Sequence, residues 1–268
     1  MIEIKKDNFV YYQFENFNNY KSIKHFITTR TGGVSNKPYN SLNLGLKTKD
    51  NKDMVKKNYK ILADAIGIGI ENFVIQYQCH SMNIKVVDET YKCKDILKIE
   101  NKLIDNDAMI TNKKNVCLLV FGADCVPVIL YDTVKNAIGV CHAGWKGTIN
   151  KIVNKTIEKM RIEYNSDAEN IIAGIGPSIG PCCYEIKDDV INEIQKVYSF
   201  NNNILINNKH NTYLDLWKAN KVNLLEAGVK ENNISVSELC TYCKHDLFFS
   251  HRHSKGITGR FASGIMLQ

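Results

Sequence analysis

Three side chains able to bind a soft or borderline metal stand where short apolar runs stop. They are His80 in Gln78-Cys79-His80-Ser81, Cys125 in Gly122-Ala123-Asp124-Cys125, and His142 at the head of His142-Ala143-Gly144-Trp145-Lys146-Gly147-Thr148. Two imidazoles and one thiolate suit zinc, with copper as the second metal such donors take. Three protein ligands leave a fourth position open, and water held there titrates near neutrality and attacks an electrophilic carbon without strong base. Spacing alone is a weak signal, because the ligands lie 45 and 17 residues apart, unlike those of a compact zinc finger. On pattern alone, the two histidines read equally as satisfied core residues and Cys125 as a small buried hydrophobe.

The elements that must hold these side chains are legible as apolar periodicity. Ile23 to Thr29, Phe73 to Tyr77, Ile84 to Val87, Val116 to Phe121, Val126 to Tyr131, Ala137 to Cys141 and Ile171 to Ile175 read as short strands. Met54, Val55, Asn58, Tyr59, Leu62, Ala65 and Ile66 recur at helical spacing, and Gly67 ends that helix. Ile149, Ile152, Val153, Thr156, Ile157 and Met160 mark one amphipathic helix starting right after the loop that bears His142. A helix is expected around Val190 to Tyr198. Another is opened by Asp215 as N-cap and closed by Gly228, with Trp217, Leu224 and Leu225 facing inward. Strands and helices interleave, and several strand connections are too short for crossover helices. The expected fold is α/β (α+β): a single domain over residues 1–268, of mixed, partly antiparallel β-sheets flanked by helices.

Composition narrows the class. The chain has 268 residues, 44% hydrophobic and 24% charged, enough for a sizeable core. No run approaches the roughly 20 apolar residues of a membrane span, and the N-terminus mixes charge with aromatics instead of resembling a signal peptide, so a cytoplasmic location is expected. Nine cysteines in such a context are expected to stay reduced. The net charge of +7 comes from dispersed lysines, which fits no nucleic-acid patch and leaves room for phosphorylated or nucleotide-like substrates. Neither composition nor spacing fixes an oligomeric state. Cys240-Thr241-Tyr242-Cys243 has the spacing of half a zinc knuckle without a second CxxC pair, and Cys182 and Cys183 are adjacent, so all four read as structural.

A series of motifs then carries a resemblance. Thr28-Thr29-Arg30 with Gly32-Gly33-Val34-Ser35, Asn43-Leu44-Gly45, Gln78-Cys79-His80, Ala123 to Val128, His142 to Gly147, Gly176 to Gly180, Phe248-Phe249-Ser250 and Thr258-Gly259-Arg260 occur in order. Together they resemble the laccase-domain family, which was named after polyphenol oxidases and is understood as purine nucleoside phosphorylases with adenosine deaminase activity. The match runs from about residue 23 to residue 264. The resemblance implies a His80, Cys125, His142 metal site. It also implies phosphorolysis of adenosine, inosine, guanosine and methylthioadenosine, and hydrolytic deamination of adenosine. Two departures stand out: Cys79-His80-Ser81 where the family usually has Val-His-Gly, and His251-Arg252-His253 where it has Tyr-Arg-Arg.

Within that reading Asp124, next to Cys125, is either a proton shuttle or a cap on its own turn. Lys146, at a helix start, is a candidate for phosphate, the alternative being a solvated lysine. Arg30 and Asn43 either reach substrate or pin their own loops, while Arg252 and Arg260 read as structural. Three rivals remain. A copper-dependent polyphenol oxidase needs many histidines, and this chain has seven with one H-x-H pair, His251 and His253. A cysteine hydrolase would use Cys125 as nucleophile and His142 as base. A metal-stabilised binding protein would hold zinc without turnover.

Overall fold

Strands that are apolar on both faces must be covered on both faces. The computed structural model, which describes residues 1–97, 103–198, 203–208 and 211–268, meets that demand by layering. The chain opens with β1 (Ile2–Lys6), β2 (Phe9–Gln13), β3 (Ile23–Thr28), α1 (Lys52–Ile66), β4 (Phe73–Ile75) and β5 (Ile84–Val86). It continues through β6 (Ala108–Thr111), β7 (Cys117–Gly122), β8 (Val126–Asp132), β9 (Ala137–Ala143), α2 (Trp145–Ile149), α3 (Ile152–Tyr164) and β10 (Ile171–Ile175). It ends with β11 (Glu185–Ile186), α4 (Asp188–Val197), β12 (Leu205–Asn208), β13 (Asn211–Leu214), α5 (Leu216–Glu226), β14 (Ile234–Val236) and β15 (Phe261–Leu267).

Two six-stranded sheets, ordered β1-β2-β3-β15-β7-β4 and β14-β10-β8-β9-β6-β5, pack face to face, and β11-β13-β12 form a small third sheet. Pairing is antiparallel in the sheet centres and parallel at β4·β7, β10·β14 and β5·β6. Alternation along single strands shows the layers. Leu118 and Val120 of β7 meet Ile129 and Tyr131 of β8 between the sheets. Cys117 and Leu119 turn outward under Tyr59 and Leu62 of α1. Val126, Val128 and Leu130 turn the other way, under Val153, Ile157 and Met160 of α3. The fold is therefore mixed α/β with partly antiparallel sheets flanked by helices, as the interleaved periodicities suggest.

Several elements follow the sequence closely: α1 is capped by Asn51 and ends on Gly67 at φ 66°, and α5 is capped by Asp215 accepting from the Lys218 N–H at 2.9 Å. Two expectations change. The helix read after His142 is two helices, because Lys151 at φ 56° breaks the chain between α2 and α3. Leu225 faces outward at 39% exposure, while Leu224 is buried on the adjacent face. No helix among the described residues is long and apolar enough to cross a membrane.

Candidate active site and metal centre

The three candidate ligands reach one point from different segments of the sandwich: His80 from beyond the edge strand β4, Cys125 from the turn between β7 and β8, and His142 from the interior strand β9. The Gln78 side chain mimics a strand, donating from Nε2 to the Phe121 carbonyl and accepting from the Phe121 N–H, both at 2.8 Å. It thereby prolongs the β4·β7 pairing and carries the chain to His80. His80 itself sits at φ 64°, a left-handed conformation that costs a non-glycine residue on the order of 1 kcal/mol and needs outside support. Asp107 supplies it: Oδ2 accepts from the N–H groups of Cys79 at 3.1 Å and Ser81 at 2.6 Å, and from the Ser81 hydroxyl at 3.0 Å. Cys125 follows Asp124, itself at φ 88°, in the turn between β7 and β8. His142 lies within β9, not after it, and its N–H donates to the Asp107 carbonyl at 2.7 Å.

The other Asp107 oxygen, Oδ1, takes Nδ1 of His142 at 2.7 Å, which leaves His142 Nε2 for the remaining donors. The ligating atoms of His80, Cys125 and His142 all lie within 4.8 Å of one another, with Cys125 Sγ 3.7 Å from His80 Nε2. Tetrahedral zinc bonds of about 2.0–2.3 Å set donor separations of roughly 3.3–3.8 Å, so the trio fits zinc with little adjustment. Gly144 makes room for it: a Cβ there would stand 3.0 Å from His80 Cδ2 and 3.1 Å from Cys125 Sγ.

The electrostatics match a ligand set. Burial opposes a charged Cys125, but the His142 charge and hydrogen bonds from both histidines outweigh it and hold the thiol down at about 6. Burial also opposes a charged His142, yet Cys125 and Asp107 lift it to about 9. Asp107 stays well below the usual carboxylate range despite its burial, through His142 and the N–H groups of Cys79 and Ser81.

The centre opens on a cavity of about 590 Å³. Its walls combine aromatic faces, including Tyr77, Phe121, Trp145 and Tyr184, with the cations Lys47, Lys49, Arg252 and Arg260. Asp124 is the sole carboxylate among the described lining residues. Its Oδ1 accepts from the Thr241 hydroxyl at 2.7 Å and Oδ2 from the Arg252 N–H at 2.6 Å, so it ties loops together instead of capping its own turn.

The other sequence candidates fall outside the cavity wall. Arg30 donates to the carbonyls of Asn40 at 2.8 Å and His245 at 2.6 Å and lies over the Phe249 ring. Asn43 is fully buried, holding Thr48, Asp50, Gly45 and the Arg260 N–H. Lys146 is exposed, because α2 turns Trp145 toward the cavity and the next residue toward solvent. Arg252 and Arg260, read from sequence as structural, line the cavity instead.

Sequence reasoning missed Asp107 and Gln76. Gln76 is 2% exposed, lines the cavity, and has neither Nε2 nor Oε1 partnered among the described residues. A glutamine at the end of an apolar strand run was the available signal. Cys182 and Cys183, adjacent in sequence, both meet Cys240 and Cys243 in space.

The class that fold and site define is a two-sheet sandwich whose His-Cys-His group, at the mouth of an aromatic, cation-lined cavity, could hold a metal ion. Residues 24–268 match the family described as multi-copper polyphenol oxidoreductase laccase, and the chain belongs to that family. A purine nucleoside phosphorylase of Bacteroides thetaiotaomicron is 35% identical over 270 residues, covering 100% of this chain and 99% of the relative. Adenosine deaminase RL5, from an unknown prokaryotic organism, is 32% identical over 99% of both chains. The crystal structure of YlmD from Geobacillus stearothermophilus superposes with a TM-score of 0.92 at 30% identity, covering 100% of this chain and 99% of that one.

Proposed function

We propose that the protein is a zinc-dependent purine nucleoside phosphorylase that acts on adenosine, inosine, guanosine and methylthioadenosine and also deaminates adenosine. The observation that carries this reading is the His80, Cys125, His142 donor set opening on a cavity that pairs aromatic faces with cations. The names of the relatives support the same chemistry. Zinc bound there would supply Lewis-acid polarisation and water activation.

The chain's own groups do the rest. Aromatic rings in the wall offer stacking faces to a purine, and the unpartnered Gln76 amide offers one donor and one acceptor edge to its ring atoms. Arg260 and Lys47, in the same wall, supply positive charge for phosphate, whose oxygen forms a bond to C1′ of the ribose as the C1′–N bond breaks. In deamination, water oxygen adds at C6 and ammonia leaves. Asp124 would accept a proton, a role supported by the lone pair that each of its oxygens retains beyond its one hydrogen bond.

One observation favours a second reading, a cysteine hydrolase. Cys125 is held down at about 6 beside His142 raised to about 9, with Asp107 orienting the imidazole. There Sγ would attack an acyl carbon, His142 would protonate the leaving group, and water would cleave the thioester. A hydrolase works after chelation and stops on thiol alkylation, whereas zinc chemistry stops on chelation.

The purified protein incubated with adenosine tests the main reading. With phosphate it should yield adenine and ribose 1-phosphate, and without phosphate it should slowly yield inosine, both resolved by chromatography. Absence of both products at high enzyme concentration would overturn it.

A further inference from the structure

A second group of metal-binding side chains lies outside the cavity wall. Cys182 and Cys183 come from the turn after Gly180, and Cys240 and Cys243 from the loop after β14. The two loops are zipped together first by backbone: the Ser178 N–H donates to the Leu239 carbonyl at 3.3 Å, and the Thr241 N–H to the Ser178 carbonyl at 2.9 Å. A tight turn, in which the N–H groups of Cys183 and Tyr184 both donate to the Gly180 carbonyl, then brings the adjacent cysteines round to the same point. Cys243 Sγ is 3.3 Å from Cys183 Sγ and 3.6 Å from Cys182 Sγ, and all four sulfurs lie within 4.8 Å of one another.

Packing gives no reason for this convergence. Cys182 and Cys243 are exposed and Cys183 is half-buried, so three of the four thiols are not core filler. Tetrahedral zinc with Zn–S bonds near 2.3 Å sets S–S separations of about 3.8 Å, which is the scale observed. The Gly180 N–H donates to Cys240 Sγ at 3.2 Å, the outer contact that steadies a metal-bound thiolate. All four cysteines are free thiols, and their loops supply four donors to one point, a closed set with no position left for substrate.

We propose that Cys182, Cys183, Cys240 and Cys243 hold a structural zinc ion, separate from the His80, Cys125, His142 centre. The ion cross-links two walls of the cavity. One loop carries Ile179 and Tyr184 into the wall, and the other carries Thr241, the hydroxyl partner of Asp124. Both loops belong to segments remote in sequence, so the cross-link fixes a geometry that short-range structure does not.

The test is metal analysis of the full-length protein, purified with thiols reduced and freed of loose metal by gel filtration, with zinc-edge X-ray absorption on the same samples. Wild type should hold about two zinc ions per chain, with about two to three sulfur neighbours per zinc on average. Cys243→Ser should hold about one zinc, with about one sulfur neighbour. Cys125→Ala should also hold about one, with about four sulfur neighbours. Should Cys243→Ser fail to fold, the wild-type and Cys125→Ala spectra still decide. The absence of a four-sulfur zinc shell from wild type and Cys125→Ala alike, iron held by the four thiols, or a zinc content unchanged in Cys243→Ser would overturn the proposal, whereas one wild-type zinc with four sulfur neighbours would contradict only the zinc reading of the open centre.

Discussion

The two groups of residues able to hold a metal differ in ways that separate chemistry from architecture. At the cavity, three donors from the segment after β4, the β7–β8 turn and β9 are held by a carboxylate, and the neighbouring walls offer aromatic and cationic contacts. At the surface, four thiols from two loops close on themselves. An open set can engage a substrate, and a closed one can only hold chain segments together. The contrast teaches that donor count and surroundings, more than donor type, assign the role of a cysteine here. Cys125 stands against a cavity, Cys243 against three other sulfurs.

Disturbing the carboxylate is the strongest way to sharpen that contrast. Asp107→Ala removes the partner of His142 Nδ1 and the acceptor that holds Cys79 and Ser81 around His80. Zinc affinity at the open centre should fall roughly 10–100-fold, with activity, while zinc at the four-thiol site stays. Competition with a chromogenic chelator measures this, and equal loss at both sites would break the distinction. Acidification is the next test. Zinc must displace the proton that His142 carries below about 9, and below about 6 also the one that Cys125 regains. Affinity at the open centre should therefore drop about tenfold per pH unit between these values and more steeply below about 6. Titration of Cys243→Ser, which isolates this centre, should show that slope, and a flat profile across the window would contradict the proton assignment.

The cavity wall gives a smaller effect. Gln76→Leu keeps the volume and removes the unpartnered donor and acceptor, so KM for adenosine should rise on the order of tenfold with both zinc ions retained. An unchanged KM would remove Gln76 from substrate recognition. Lys146→Ala should change KM for phosphate less than about twofold, because the side chain is exposed beside Trp145 and outside the cavity. A large rise would restore the helix-start reading of that lysine.

What the sequence disclosed follows from range. His80, Cys125 and His142 each sit in a local motif with strand residues on one side, so their neighbourhoods are readable a few residues at a time. Asp107 is 35 residues from the histidine it orients, and no local pattern marks a carboxylate whose partners arrive only when β6 pairs with β9. Cys182 and Cys183 meet Cys243 across 61 and 60 residues, so a search for a second CxxC pair could not find them. The break at Lys151 was hidden because α2 and α3 keep apolar residues in step across it. Lys146 shows a different limit: proximity to a helix start says nothing of direction, and α2 turns this side chain to solvent. The layered fold was more legible, since apolar runs buried on both faces, such as Val126 to Tyr131, require layers on both sides.

The central claim, that the open centre is a zinc site on which turnover depends, is tested most directly at Cys125. The assay measures zinc content and adenosine products of Cys125→Ala beside wild type. Zinc should fall by about one ion per chain, and phosphorolysis and deamination should fall together by at least roughly 100-fold, because two imidazoles are too few to hold the ion tightly. Unchanged zinc content with lost activity would make Cys125 a nucleophile, and retained activity would remove the centre from the chemistry.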